Sequence, residues 1–400
     1  AWLKDCSNTA RAAHPPARGF VRRATVMDTL ALLYALLGGG FMGSYPVPIK
    51  APAVLEAHVH PIVFQWYKSI WVFVAGWVLV CVNYMQGGGE GFQFTWWAVA
   101  SAAAWIPGGL CTIAAVPRIG VGMVSVLSTG MASVLSFLVF WLVFRERLRA
   151  HGSAEHPFYL APLYLVFVVL GMAGVVAAPR ARRPLVPCLR LSRAGQVGQG
   201  QGYAATDLDE EPQDAKPCAG GNWQLGLLLA ALAGLLSAAQ FAAVTVGRRA
   251  AMRADGCEGR MADCSPALQE QFDTFGSWMA SFGIGAVLVT SIYSALWLAA
   301  ERLLWGAALP SMHWRVMRGP GSIAGIFWVL GNLFQTAAVV RGGNALFMPT
   351  TCGVQLLTSS LWGVAWYKEI RDRKRMAVWA LAVAWTLAST VLLSGEKGAA

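Results

Sequence analysis

Twelve polar or aromatic side chains stand inside stretches that are otherwise almost wholly apolar: Ser44, Tyr45, Gln65, Trp66, Lys68, Trp105, Gln240, Trp328, Asn332, Gln335, Thr351 and Gln355. Amides and hydroxyls in an apolar surrounding need hydrogen-bond partners, so these groups either fasten helix to helix or form the shell around a polar solute. The aromatic members add flat faces on which the C–H side of a ring-shaped solute stacks while its hydroxyls reach the amides. Packing against lipid or in an interfacial belt is the plainer role for most of the 18 tryptophans. Lys68 is the one cation clearly inside such a stretch. It can pair with an anionic solute or hold a gate, while snorkelling to the nearby interface is the plainer expectation. No Asp or Glu lies in the interior of these stretches: Glu56, Glu90, Glu146, Glu301 and Glu369 all fall between them or at their ends. An intramembrane carboxylate is the usual carrier of proton exchange, so its absence favours a neutral or anionic solute, moved by facilitated diffusion or exchange.

The elements that must hold these residues are long helices. With 56% hydrophobic and 13% charged residues and a mean hydropathy of +0.51, the chain lies outside the range of soluble domains. Its apolar blocks run to about 20 residues, the length that crosses a bilayer core. They predict ten spans, near 28–49, 61–84, 94–117, 120–144, 158–178, 224–246, 273–299, 320–340, 345–367 and 376–394. The expected fold is thus an all-α integral membrane protein, with the lipid bilayer as its surrounding. The net charge of +11 sits in loops and tails and suits anionic headgroups; no continuous basic domain exists to track a nucleic acid. No G-x-S-x-G, H-E-x-x-H, G-x-x-x-x-G-K-[ST] or G-x-G-x-x-G opening a soluble helix is present, so neither an enzyme nor ATP-driven pumping is expected, and no cofactor. The eight cysteines show no metal-ligand spacing. Cys257 with Cys264, and Cys188 with Cys218, share loops and can form disulfides in an oxidising compartment, free thiols being the plainer expectation.

Residues 1–27 are basic and resemble an organelle transit segment or a gene-model artefact, with Met27 a natural start. Two five-helix units then cover 28–178 and 224–394, followed by a tail at 395–400. Between the units, residues 179–223 pass from a basic part through GQVGQGQG to the acidic ATDLDEEPQD, the composition of a disordered linker, with Thr206 a candidate phosphorylation site. Lys and Arg divide almost evenly between the two sides of the predicted spans. Omitting residues 1–26 tips the positive-inside rule toward outward-facing termini.

The strongest signal is self-similarity. At one constant offset, Trp105 falls on Trp328, Gly108 on Gly331, Arg118 on Arg341, Gly120 on Gly343, Gly130 on Gly353, Ser136 on Ser359 and Glu146 on Glu369. Apolar bias alone does not align charges with glycines. An odd number of spans in each unit makes the second copy enter the bilayer from the opposite side, giving inverted repeats, the architecture of many alternating-access transporters. In the first span Gly38, Gly39, Gly40 and Gly43 permit close contact. Pro46 and Pro48 remove backbone donors, which either opens carbonyls to a mid-span cavity or merely kinks the helix.

The motifs GSYPVPIK in the first span, FQW at 64–66, W-x-x-G at Trp105, W-x-x-G-N from Trp328 to Asn332 and KEI at 368–370 resemble the transmembrane protein 144 group, sugar-permease-like members of the drug/metabolite transporter superfamily. The resemblance covers nearly all of 28–394 outside the linker. It implies ten spans, cytosolic termini and carriage of a carbohydrate. The sixth span departs from it, since Gln240 to Val244 lack both prolines of the first, and Gly109 stands where the second unit has Asn332. The leading expectation is a carrier of a small polar solute, sugar or sugar-like. A nucleotide-sugar or phosphorylated-metabolite exchanger is the alternative, and a non-transporting scaffold or receptor the alternative of another class.

Overall fold

The computed structural model describes residues 29–48, 51–57, 59–86, 91–119, 121–152, 157–177, 223–257, 261–306, 309–366, 370 and 372–397. The basic amino-terminal segment, the linker up to residue 222, Cys188, Cys218, Gly120 and Glu369 lie outside these residues. The helices are α1 (Thr29–Ser44), α2 (Pro52–Glu56), α3 (Pro61–Met85), α4 (Trp96–Ile119), α5 (Val121–Leu138), α6 (Ala161–Ala177), α7 (Trp223–Asp255), α8 (Pro266–Gln271), α9 (Ser277–Trp305), α10 (Trp314–Met317), α11 (Pro320–Gly342), α12 (Asn344–Ala365) and α13 (Arg373–Ser394). A short hairpin pairs His151 with Phe158 and Gly152 with Pro157.

Among the described residues, seven helices are long and apolar enough to cross a membrane, and α1 and α6 are shorter apolar helices. The chain is therefore an all-α, multi-pass membrane protein. Each predicted span has a helix, though α12 is not among the apolar seven. Its Thr350, Thr351, Gln355, Thr358, Ser359 and Ser360 lower its hydropathy, and the reason is position: from Asn344 to Val354 it is buried on every side. α11 is similarly central, with 67% of its apolar window buried, against 22% for α3 and α13 at the rim.

Local chemistry sets the boundaries. α3 opens with Pro61 in its first turn, where a missing N–H costs nothing, and His60 Nδ1 accepts from the Ile62 N–H at 3.2 Å. α9 ends at Gly306 in the left-handed conformation, and Asp372 caps α13 by accepting from the Lys374 N–H at 3.2 Å. α1 closes at Ser44, one turn earlier than expected. Pro46 and Pro48 thus follow the helix and do not interrupt it mid-span, because a proline offers no N–H to continue the ladder.

Named contacts give the direction of each packing. α3 and α9 run antiparallel, with Asn83 on Asp273, Gly76 on Ala280, Ser69 on Thr290, Trp66 on Ser294 and His60 on Glu301 in succession. α1 lies antiparallel to α11, Gly38 against Gln335 and Met42 against Gly331, and α4 lies antiparallel to α7, Trp97 against Gly247 and Gly108 against Leu236. α6 is antiparallel to α13, Gly171 meeting Thr386 and Gly174 meeting Ala382. α1 runs parallel to α12, Gly39 on Val354 and Gly43 on Thr358, while α5 packs on both α7 and α12.

Candidate functional site

Near the centre of the bundle the indoles of Trp105 and Trp328 stack with ring centroids 3.8 Å apart and planes 20° apart. These are the two residues that the self-similarity equates. Phe282 of α9 completes the stack, 5.5 Å from Trp105 and 6.1 Å from Trp328. Against this wall lies Lys68, its Nζ 5.5 Å from the Trp105 ring and 5.7 Å from the Tyr45 ring, within the reach of a cation–π interaction. Lys68 is 4% exposed. It does not snorkel, because α3 turns this face toward α4 and α11 and away from lipid, a placement that depends on helix rotation and not on sequence depth.

Gln65, one turn before Ser69, is 1% exposed. Its Nε2 donates to Ser69 Oγ at 3.3 Å, while its Oε1 accepts no hydrogen bond. Both Gln65 Oε1 and Lys68 Nζ face Gly109 of α4: a Cβ there would lie 3.2 Å from the first and 3.6 Å from the second. No side chain of α4 stands between these two polar ends and the Gly109 backbone. Lys68 Nζ makes no hydrogen bond or ion pair with any described residue, and neither do the Trp105 and Trp328 indole N–H groups or the Tyr45 hydroxyl.

Of the other residues singled out in the sequence, Ser44, Trp66, Gln240, Asn332 and Thr351 have side-chain hydrogen bonds within the protein. Gln240 Nε2 donates to Asn332 Oδ1 at 2.6 Å, and Ser101 Oγ donates to the Gln240 carbonyl at 2.8 Å. Ser44 Oγ donates to the Gly40 carbonyl and accepts from Trp362 Nε1 at 2.9 Å, fastening α1 to α12. Trp66 Nε1 donates to Ser294 Oγ at 3.1 Å, so its polar edge belongs to the α3–α9 seam. Thr350 and Thr351 return their hydroxyls to the carbonyls of Leu346 and Phe347 around the in-helix Pro349. Gln355 is half-buried, its backbone carbonyl against Gly43. Gln335 is intermediate: Nε2 meets Met348 Sδ at 3.5 Å and Oε1 is buried without a partner.

The cluster therefore consists of Tyr45, Gln65, Lys68, Trp105, Gly109, Phe282 and Trp328. Phe282 had no signal in the sequence, since α9 shares no legible pattern with α3. Gly109 had one: it is where the repeat loses its asparagine.

Elsewhere, the Glu146 carboxylate accepts from the N–H groups of Asn344 at 3.4 Å and Ala345 at 3.0 Å, so a residue after α5 caps α12. Burial raises the Glu146 carboxyl above its usual range, and the two backbone N–H groups, Arg249 and Lys397 oppose that rise. Gly343 beside it has φ 93°, the left-handed turn between α11 and α12. Cys257 and Cys264 form a disulfide, against the plainer expectation of free thiols. Among the described residues, the one grouping of metal-ligating atoms is Asp255 with these two cysteines, whose sulfurs are consumed by each other.

No family model matches the chain, and no curated protein matches it. A solved crystal structure described only as that of a protein matches 91% of this chain and 98% of its own, with a TM-score of 0.51 and 14% identity. At that identity the likeness is one of fold.

Proposed function

We propose that the chain is a secondary carrier of the transmembrane protein 144 type, crossing the membrane ten times as two inverted five-helix repeats and moving a small polar, sugar-like solute by alternating access. The observation that carries this reading is the way helix pairings exchange between the halves. If α1, α3, α4, α5 and α6 correspond in order to α7, α9, α11, α12 and α13, then α1 on α11 is the counterpart of α4 on α7. Likewise α1 on α12 is the counterpart of α5 on α7, and α3 on α11 that of α9 on α4. The pairs α3–α9 and α6–α13 are their own counterparts, and both run antiparallel. That pattern supports a two-fold axis lying in the membrane plane, and the face-to-face stack of Trp105 on its own copy Trp328 supports its passage through the centre.

Such symmetry lets each half adopt the other's packing and so open one central site to either side in turn. The unfilled hydrogen-bonding capacity of the Gln65, Lys68 and Tyr45 cluster beside an aromatic wall suits a solute with hydroxyls and a flat apolar face. Uptake of a panel of radiolabelled sugars, polyols and sugar derivatives into proteoliposomes tests the reading. A signal above protein-free vesicles for at least one solute is expected; none across the panel contradicts it.

A further inference from the structure

We infer that the solute bears a carboxylate or phosphate group, with Lys68 as its counter-charge, Gln65 Oε1 as the acceptor for one of its hydroxyls, and the Trp105–Trp328 wall as the surface for its ring. The inference rests on the carrier reading and narrows its cargo from polar solutes in general to sugar-sized anions.

A charge buried without a partner is costly, and proteins retain one where something else supplies the opposite charge. No described acidic group pairs with Lys68, and Glu56, Asp263 and Asp372 are exposed. Glu301 meets His60 and Trp297, Asp273 meets Asn83, and Glu270 meets Ser277. Glu396 meets His151, Glu146 caps α12, and Asp255 holds Ser265 in the loop after α7. The Tyr45 and Trp105 rings answer part of the charge but fill no hydrogen bond of the ammonium, which has three to donate.

Gln65 makes the same point with the opposite polarity. Ser69, itself 2.7 Å from Thr290, holds Nε2, so the amide is turned with Oε1 toward the gap at Gly109. A bare acceptor and a bare cationic donor thus face the same glycine, and a hydroxylated anion seated there would satisfy both.

The second half lacks this vacancy. At the position equivalent to Gly109 it carries Asn332, whose Oδ1 accepts from Gln240 Nε2. One of two pseudo-equivalent positions is therefore filled by the protein and the other left for a ligand. A lipid phosphate would offer Lys68 the same chemistry, so the test reads entry of a water-soluble anion into the vesicle lumen, which a bound headgroup cannot give.

The experiment compares uptake of D-glucuronate, D-glucose 6-phosphate and D-glucose into phosphatidylcholine proteoliposomes holding the wild type, Lys68→Gln or Gly109→Ala. At least one anion is expected to enter at least about tenfold faster than D-glucose, and Lys68→Gln should slow it at least about tenfold, the effect of removing one partner of a buried charge pair. Gly109→Ala keeps the lysine, places a methyl against it, and should lose anion uptake while its melting temperature stays within a few degrees of wild type. If Lys68→Gln fails to fold, Gly109→Ala alone decides. Equal anion uptake by wild type and either folded variant overturns the inference. Uptake of D-glucose with neither anion moved overturns the anionic cargo and leaves the carrier standing; uptake of none of the three, nor of the wider panel, removes both.

Discussion

The seam between α3 and α9 and the cluster around Lys68 are both polar regions of an apolar bundle, and both draw on α3, yet they are built to opposite ends. Along the seam polar groups answer one another across the two helices: Ser69 and Thr290 at 2.7 Å, Trp66 and Ser294 at 3.1 Å, Asn83 and Asp273 at 2.9 Å, with Gly76 and Gly283 letting the backbones close between them. Around Lys68 the groups converge on a glycine and stay unanswered. Polar residues in this bundle therefore divide by whether a second helix completes their hydrogen bonds. Residue type and depth do not make that division.

The contrast can be broken from the seam side first. Gly76→Val would drive its side chain into the Ala280 backbone and the Met279 carbonyl, and overpacking of this kind costs about 1–3 kcal/mol. Thermal unfolding in detergent should show that loss, and uptake should fall only with the amount of folded protein. Ser294→Ala removes a single interhelical hydrogen bond and should cost about 0.6 kcal/mol with unchanged uptake. A large loss of transport with intact stability would move Trp66 and Ser294 from fastener to site.

Glu146 sharpens the same distinction by pH. Burial raises its carboxyl in the folded state, so the folded protein favours the protonated form. The stability this provides is present in full below the ordinary glutamate range and is lost as pH rises through the raised folded value. Glu146→Gln stays neutral throughout. Its melting temperature relative to wild type should therefore climb as pH increases through that range and be flat below it. A constant difference across the titration would show that the carboxylate is held as comfortably in the fold as in water.

Much of this arrangement was legible in the residues. Blocks of apolar sequence located a helix at each expected place, and the offset that equates Trp105 with Trp328 named the pair that stacks. What stayed hidden depended on contacts between distant segments. Whether Gln240 or Gln65 is free turns on Asn332 standing opposite one and Gly109 opposite the other. Lys68 reads as a snorkelling residue from its depth alone, because only the rotation of α3 against Tyr45 and Trp105 decides which way it faces. The prolines after Ser44 read as an interruption, since sequence does not tell a broken helix from a finished one.

The account stands most directly on access to that space from both sides of the membrane. Gly109→Cys, in a chain whose cysteines outside the Cys257–Cys264 disulfide are changed to Ser, can be treated in sealed vesicles with a membrane-impermeant methanethiosulfonate, applied outside in one sample and enclosed inside in another. Alternating access predicts reaction from each side. Reaction from one side alone, or from neither, would contradict it.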